Sequence, residues 1–167
     1  IKGKYRYALW LSENDYKKLE SNPIVKERIA RTYNHRINSS AKGLAERAWS
    51  FRDTNMTTTQ SILIPCHSSE NREYLPMGIV GEDTIISNSA MAIYDAPIYL
   101  LGLLESRMHM TWMRAIGGKI ETRYRYSAGL VYNTFPVPKI SEQAKAEIED
   151  CVFEILDYRE MSGKTLA

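Results

Sequence analysis

The sequence predicts an α+β fold: a small mixed or antiparallel sheet with flanking helices, and a C-terminal helix. Short apolar runs such as Ile62-Leu63-Ile64 and Ala90–Tyr94 have the length and side-chain types of strands. Capped, amphipathic stretches at both ends of the chain have the helical period. Of the 167 residues, 44% are hydrophobic and 25% charged, so the chain can bury a core and is not expected to be disordered.

The elements follow in order. Lys4–Leu11 alternates and is rich in aromatics, as a strand would be. Ser12, with Glu13 and Asp15 behind it, starts a helix that must stop before Pro23. A second helix is expected from Val25 to about Asn34, with Val25, Ile29 and Tyr33 on one side. Polar sequence follows, broken by a short helical stretch near Ala41–Trp49, and Thr57–Thr59 then leads into the Ile62–Ile64 strand. Met77–Val80 and Thr84–Ser87, separated by Gly81-Glu82-Asp83, have hairpin spacing, with Ala90–Tyr94 as a third strand. Ile98–Glu105 and Arg107–Ile116 are helical, and Gly117-Gly118 ends the second of them. In that helix Met108, Trp112 and Ala115 are expected in the core, and His109 as a hydrogen-bonded core histidine. Lys119–Tyr126 is strand-like, and Phe135-Pro136-Val137-Pro138 must be extended. Ser141 caps a last helix to about Tyr158, with Ala144, Ile148, Cys151, Val152 and Ile155 as its apolar stripe.

Charge is distributed unevenly. Residues 1–60 hold 12 Lys+Arg against 6 Asp+Glu, and residues 140–167 hold 3 against 7. A net charge of +2 does not by itself announce nucleic acid. Cys66 and Cys151 stand far apart, outside any metal spacing, which suits a reducing, cytoplasmic location. No membrane span or signal peptide is visible. A start at Ile1 rather than Met leads to the expectation of a fragment of a longer chain, or of a processed product.

Known catalytic signatures are missing: there is no glycine-rich phosphate loop, nucleophile elbow or helical pair of metal-binding histidines. His67, Glu70 and Glu73 could be imagined as a nuclease cluster, but they lie in a polar loop with no lysine nearby. The stretch Gly117–Ser127 carries more information. As one strand it would place Lys119, Glu121, Arg123 and Arg125 on one face, with Ile120, Thr122, Tyr124 and Tyr126 on the other. A charged row of this kind suits the major groove, where Arg can donate to guanine O6 and N7 and Glu can accept from cytosine N4. The same row also describes a solvated strand face with an ion pair of little energetic value.

The run Ser106–Ser127, followed by Val131-Tyr132-Asn133-Thr134-Phe135-Pro136, resembles the target-recognition domain of MmeI-like restriction–modification enzymes. Ile64–Pro76 and Ile85–Ala90 resemble that family too, and the clear likeness spans residues 60–138. The resemblance implies a recognition domain over residues 1–138 and a C-terminal helical segment over 139–167. It implies a parent chain with an upstream nuclease and an adenine-N6 methyltransferase, using a divalent metal and S-adenosylmethionine; the present chain would have neither activity and hold neither cofactor. Double-stranded DNA and the upstream methyltransferase domain are the implied partners. By resemblance, Glu121 and Arg123 read one base pair, and a Lys and Asp pair there goes with the reversed pair. Asn88 and Ser89 form a second base-reading position. Ser68, Ser69, Arg72, Arg114, Lys119, Arg125 and Ser127 are the candidate backbone or supporting contacts, with turn capping the alternative for Ser68 and Ser69. Other classes remain open: a separate specificity subunit, a protein-interaction module using the last helix, or a hydrolase around His67–Glu73.

Overall fold

The computed structural model describes residues 6–164. They form two compact units, one within residues 6–55 and one within residues 56–164.

The first unit is helical. Helix α1 (Glu13–Leu19) begins with a full capping box, in which Ser12 accepts from the Asp15 amide and Asp15 accepts from the Ser12 amide. Helix α2 (Pro23–Ile37) starts on Asn22, with Pro23 in the first turn where no amide is needed. A short 3-10 turn follows at Lys42–Arg47. Arg36 locks it in place, donating to the carbonyls of Leu44, Arg47 and Ser50 at 2.9, 2.6 and 2.8 Å. The expected N-terminal strand does not form: Arg6–Leu11 has no regular structure, and Lys4 and Tyr5 lie outside the described residues. Trp10 goes into packing instead, whereas Tyr7 is exposed. Trp10 lies on Phe51, and Leu9 and Leu11 line a hollow with Ile29 and Trp49. Several of the unit's basic side chains are paired or structural, as in Lys17–Glu13, Arg31–Glu27, Arg52–Asp53 and Arg36.

The second unit is α+β. Strand β1 (Gln60–Pro65) is the centre of a three-stranded antiparallel sheet, between β3 (Gly78–Gly81) and β4 (Ala90–Tyr94). The expected strand at Thr84–Ser87 is absent. Gly81 ends β3 opposite Gln60, whereas Ala90 begins β4 opposite Pro65, on the other side of β1. The connection therefore runs back along the sheet and crosses from one edge to the other, without strand structure of its own. A second sheet orders β2 (His67–Ser68), β6 (Arg123–Arg125) and β5 (Gly118–Ile120).

Cys66 stitches the two sheets together. Its amide donates to Ser89 O at 3.4 Å, and its carbonyl accepts from the Tyr126 amide at 2.9 Å. Helices α3 (Ile98–Leu104), α4 (Arg107–Ile116) and α5 (Glu142–Ser162) complete the unit. Ile62, Ile64, Met77, Leu101, Met113 and Val131 are among the residues of one continuous core.

Helix α4 presents a different face to that core than the sequence suggests, and α5 a narrower one. In α4 the buried residues are His109, Met110 and Met113, while Met108 and Ala115 are exposed and Trp112 half-buried. In α5 Val152 is buried and Ile148 and Leu156 pack beside it, whereas Cys151 and Ile155 face solvent. Gly102 determines the second case. A Cβ there would stand 2.5 Å from Ile148 Cγ2 and 2.9 Å from Val152 Cγ2, so α3 and α5 meet closely only because no side chain is present. Gly117 ends α4 for a similar reason, since a Cβ would meet the Met113 carbonyl oxygen at 2.4 Å. A bidentate pair further fixes α5: Arg159 holds Glu105 at 2.9 and 3.0 Å and also donates to Met77 O. The residue 139–167 segment is thus packed, as far as it is described, into the same unit as residues 56–138.

Candidate nucleic-acid interface

Lys119–Tyr126 is a hairpin and not one strand. Ile120 pairs with Arg123, Lys119 with Tyr124 and Gly118 with Arg125, which leaves Glu121 and Thr122 as a two-residue turn. Glu121 has φ +57°, the sign that primed hairpin turns demand at their first central position. Such turns usually carry Gly, Asn or Asp, and a left-handed residue with a longer side chain costs about 1–2 kcal/mol.

The hairpin redistributes the charged row. Paired residues of an antiparallel ladder share a face. Arg123, Arg125, Ile120 and His67 therefore lie on the outer face. Tyr124, Ser68 and Lys119 belong to the inner one, as does Tyr126, which is buried at 3% exposure. Lys119 is thereby separated from the arginines, and its ammonium lies 5.9 Å from the Tyr124 ring centroid. Ile120 changes sides as well and is exposed on the outer face. Glu121 still meets Arg123, but through the turn, with Arg123 Nη2 donating to Glu121 Oε2 at 2.8 Å.

Beneath the hairpin lies a rigid support. His109, fully buried, has its Nε2 3.0 Å from the Tyr126 hydroxyl and hydrogen-bonded to it. The Phe135 ring meets the imidazole edge-on at 4.5 Å between centroids. Burial lowers the His109 pKa to about 4, so the ring is neutral at neutral pH. Its Nδ1 and the indole nitrogen of Trp112 have no protein partner.

Two loops flank the hairpin. In one, the Asn88-Ser89 turn is closed by Ala90 N donating to Ser87 O, and the hydroxyls of Ser87 and Ser89 lie 2.7 Å apart. Asn88 and Ser89 are exposed, and the Cys66 stitch ties Ser89 to the strand pair that carries Arg125. In the other loop, residues 69–74, Ser69 accepts from the Asn71 amide and so caps a turn. Ser68 is buried in β2 with its hydroxyl unpartnered, and so is not on the outer face. Ser127 caps the π-helical turn Ala128–Tyr132 by accepting from Leu130 N at 3.4 Å. Arg114 reaches the Arg72 carbonyl at 3.4 Å, and Arg107 reaches Tyr74 Oη and Glu73 at 3.2 and 3.4 Å. Glu70 accepts from the Thr122 hydroxyl at 2.8 Å. Glu70 and Glu73 are thus engaged by different elements, and the described residues contain no His, Cys, Asp and Glu group arranged for a metal ion. No described helix is long and apolar enough to cross a membrane.

What the geometry defines is a recognition module: a stiff hairpin bearing an acid and two arginines outward, between two polar loops on a packed base. The sequence matches the model of the MmeI target recognition domain over residues 1–139. The chain belongs to that family. It is 57% identical over 170 residues to DNA methyltransferase A of Bacillus subtilis (strain 168), covering 100% of this chain and 19% of the relative. A solved structure of the Type IIL restriction-modification enzyme MmeI in complex with DNA superposes with a TM-score of 0.88 at 40% identity, covering 96% of this chain and 22% of that one. The chain therefore spans about a fifth of the length of either relative.

Proposed function

We propose that this domain reads a short sequence in double-stranded DNA and presents one adenine to a methyltransferase carried by the rest of a longer chain. The outward Glu121–Arg123 pair supports the reading most directly, because it offers an acceptor and a bidentate donor side by side on a rigid turn. Glu121 would accept from cytosine N4 and Arg123 would donate to guanine O6 and N7 of the same base pair. Arg125 lies on the same face, two residue pairs further from the turn. Asn88 and Ser89 would form a second contact to base edges from the neighbouring loop. Arg72, Arg114 and Lys119 would contribute contacts that hold the register without reading sequence. Ser68, Ser69 and Ser127 are given a supporting part only, through the packing and turn capping described above.

The adenine would have to leave the stack to meet its methyl donor. S-adenosylmethionine, and a divalent metal for cleavage, would be held by the upstream methyltransferase and nuclease parts. This chain's own share would be binding and orientation. Affinity should fall steeply with salt as phosphate contacts are lost.

The test is a double substitution in the parent enzyme, Glu121→Lys with Arg123→Asp, followed by mapping of methylated sites. Swapping donor and acceptor should exchange C for G at one position of the site. A wrong contact at one pair costs about 1–3 kcal/mol, enough to be visible in site usage. Retained methylation with unchanged site preference would remove the assigned role.

A further inference from the structure

The Glu121-Thr122 turn is held from outside itself. Its backbone is left-handed at a glutamate, a conformation this residue does not favour. The Glu121–Arg123 ion pair joins the turn to the residue next to it, so it does not link the turn to the rest of the domain. Among the described residues, the side-chain hydrogen bond that joins the turn to a distant part of the chain is that from Thr122 Oγ1 to Glu70 Oε1, at 2.8 Å and across 52 positions of sequence.

The loop that provides Glu70 is itself tied down. Arg72 N donates to Ser69 O, Glu73 and Tyr74 meet Arg107, and the Arg72 carbonyl meets Arg114. Both arginines belong to α4, whose inner side carries the buried His109. A continuous line of contacts therefore runs from the core helix through the loop to the tip of the hairpin. Glu70 is held below its usual carboxylate range by a backbone hydrogen bond, by Thr122 and by the charge of Arg123, and so remains an acceptor at neutral pH.

We propose that Glu70 is a positioning residue for base reading: by accepting from Thr122 it fixes the turn so that Glu121 and Arg123 reach one base pair together. The inference rests on the proposed reading of that pair by Glu121 and Arg123. It assigns Glu70 a part in specificity although no contact between Glu70 and a base is required. The charge of the same carboxylate also acts on Arg123, helping to raise its guanidinium pKa. Its hydrogen bond and its charge are separable, because glutamine keeps an acceptor oxygen and loses the charge.

The experiment uses the full-length parent enzyme, with methylated-site mapping and binding to duplexes varied at every position of the site. Glu70→Ala and Thr122→Val should each lower discrimination at the base pair addressed by Glu121 and Arg123 by about tenfold, a loss comparable with one good bidentate contact. Discrimination at the other positions should stay within about twofold, inside the margin of a conformational change confined to the turn. The double variant should lose no more than either single one, since both remove the same bond. Glu70→Gln should restore most of the discrimination. A merely structural role would instead lower thermal stability and binding to all sequences alike, and that outcome overturns the proposal. So does an unchanged profile in both single variants. The Glu121→Lys, Arg123→Asp enzyme is mapped in parallel. If the swap alters one base pair and Glu70→Ala does not, positioning by Glu70 is wrong and base reading stands. If the swap leaves every position unchanged, base reading fails and the positioning role falls with it.

Discussion

Protonation of His109 should loosen the base on which the recognition hairpin rests, and the size of the effect can be worked out. The ring is fully buried, its Nε2 bound to the Tyr126 hydroxyl and its Nδ1 without a protein partner. Its pKa is lowered from 6.5 to about 4 by burial. As pH falls the unfolded chain takes up this proton first, near its ordinary value. The stability associated with the neutral ring is therefore complete above about pH 6.5 and is lost progressively down to about pH 4, below which the loss is constant. At 1.36 kcal/mol per unit the whole effect is about 3 kcal/mol, of which about 2 kcal/mol falls between pH 7 and pH 5. Urea unfolding of the chain at a series of pH values measures it. The midpoint should drop by about 1 M between pH 7 and pH 5. His109→Gln keeps a hydrogen-bonding partner for Tyr126 but cannot titrate in this range, and it should flatten that part of the profile. Asp95 does not confuse the result. Its pKa is held at about 2 by the hydroxyls and amides of Thr57–Thr59, so its contribution is lost only below its ordinary value near 4. Parallel profiles for the wild type and His109→Gln between pH 7 and pH 5 would refute the assignment.

Three further outcomes are expected. Arg159→Ala should destabilise the chain by about 3–5 kcal/mol in urea unfolding, because it leaves the nearly buried Glu105 carboxylate without its bidentate partner. Arg159→Ala with Glu105→Leu should recover much of that loss, as both charges are then gone. Gly102→Ala should cost about 1–3 kcal/mol by driving a methyl group into Ile148 and Val152, read as a lower thermal midpoint. Glu121→Gly should raise stability by up to about 1 kcal/mol, since glycine accepts a positive φ without the side-chain penalty, while DNA discrimination at one base pair is lost.

Much of the architecture was legible where local chemistry is decisive. Ser12 and Ser141 both cap the helices expected of them, and Pro23 separates α1 from α2. The Ile62–Ile64 and Ala90–Tyr94 strands pair with each other. The charged hairpin was misread because alternation over Lys119–Tyr126 fits one strand as well as two. Glu121 and Thr122 carry none of the Asn-Gly or Asp-Gly chemistry that announces a two-residue turn. The turn is instead bonded to Glu70, 52 positions away, which no local pattern can reveal. In α4 Met108, Met110, Trp112 and Met113 spread over one broad face opposite Arg107, Thr111 and Arg114, and the core takes the Met110–Met113 side of that face. Arg6–Leu11 has the composition of a strand, but Trp10 packs on Phe51 within a helical unit and Tyr7 is left exposed. At the candidate site the pairing of Glu121 with Arg123 was foreseen and is present, though it arises from a turn rather than from a shared strand face.

That difference bears on how one scaffold could accept different readers. On a regular strand, the side chains at positions 121 and 123 would be held by the ladder and would lean with the local twist of the sheet. On a two-residue turn, position 121 stands at the tip, and its backbone conformation is set by the loop that holds Thr122. Substitution at 121 and 123 then leaves the buried base of Tyr126, His109 and Met113 untouched. The left-handed glutamate is a local cost of about 1–2 kcal/mol, small against the packing beneath it and confined to two residues. A strained tip on a rigid base keeps stability and base preference in separate parts of the structure. Exchange of the reader pair should accordingly alter which base pair is preferred far more than it alters the unfolding midpoint.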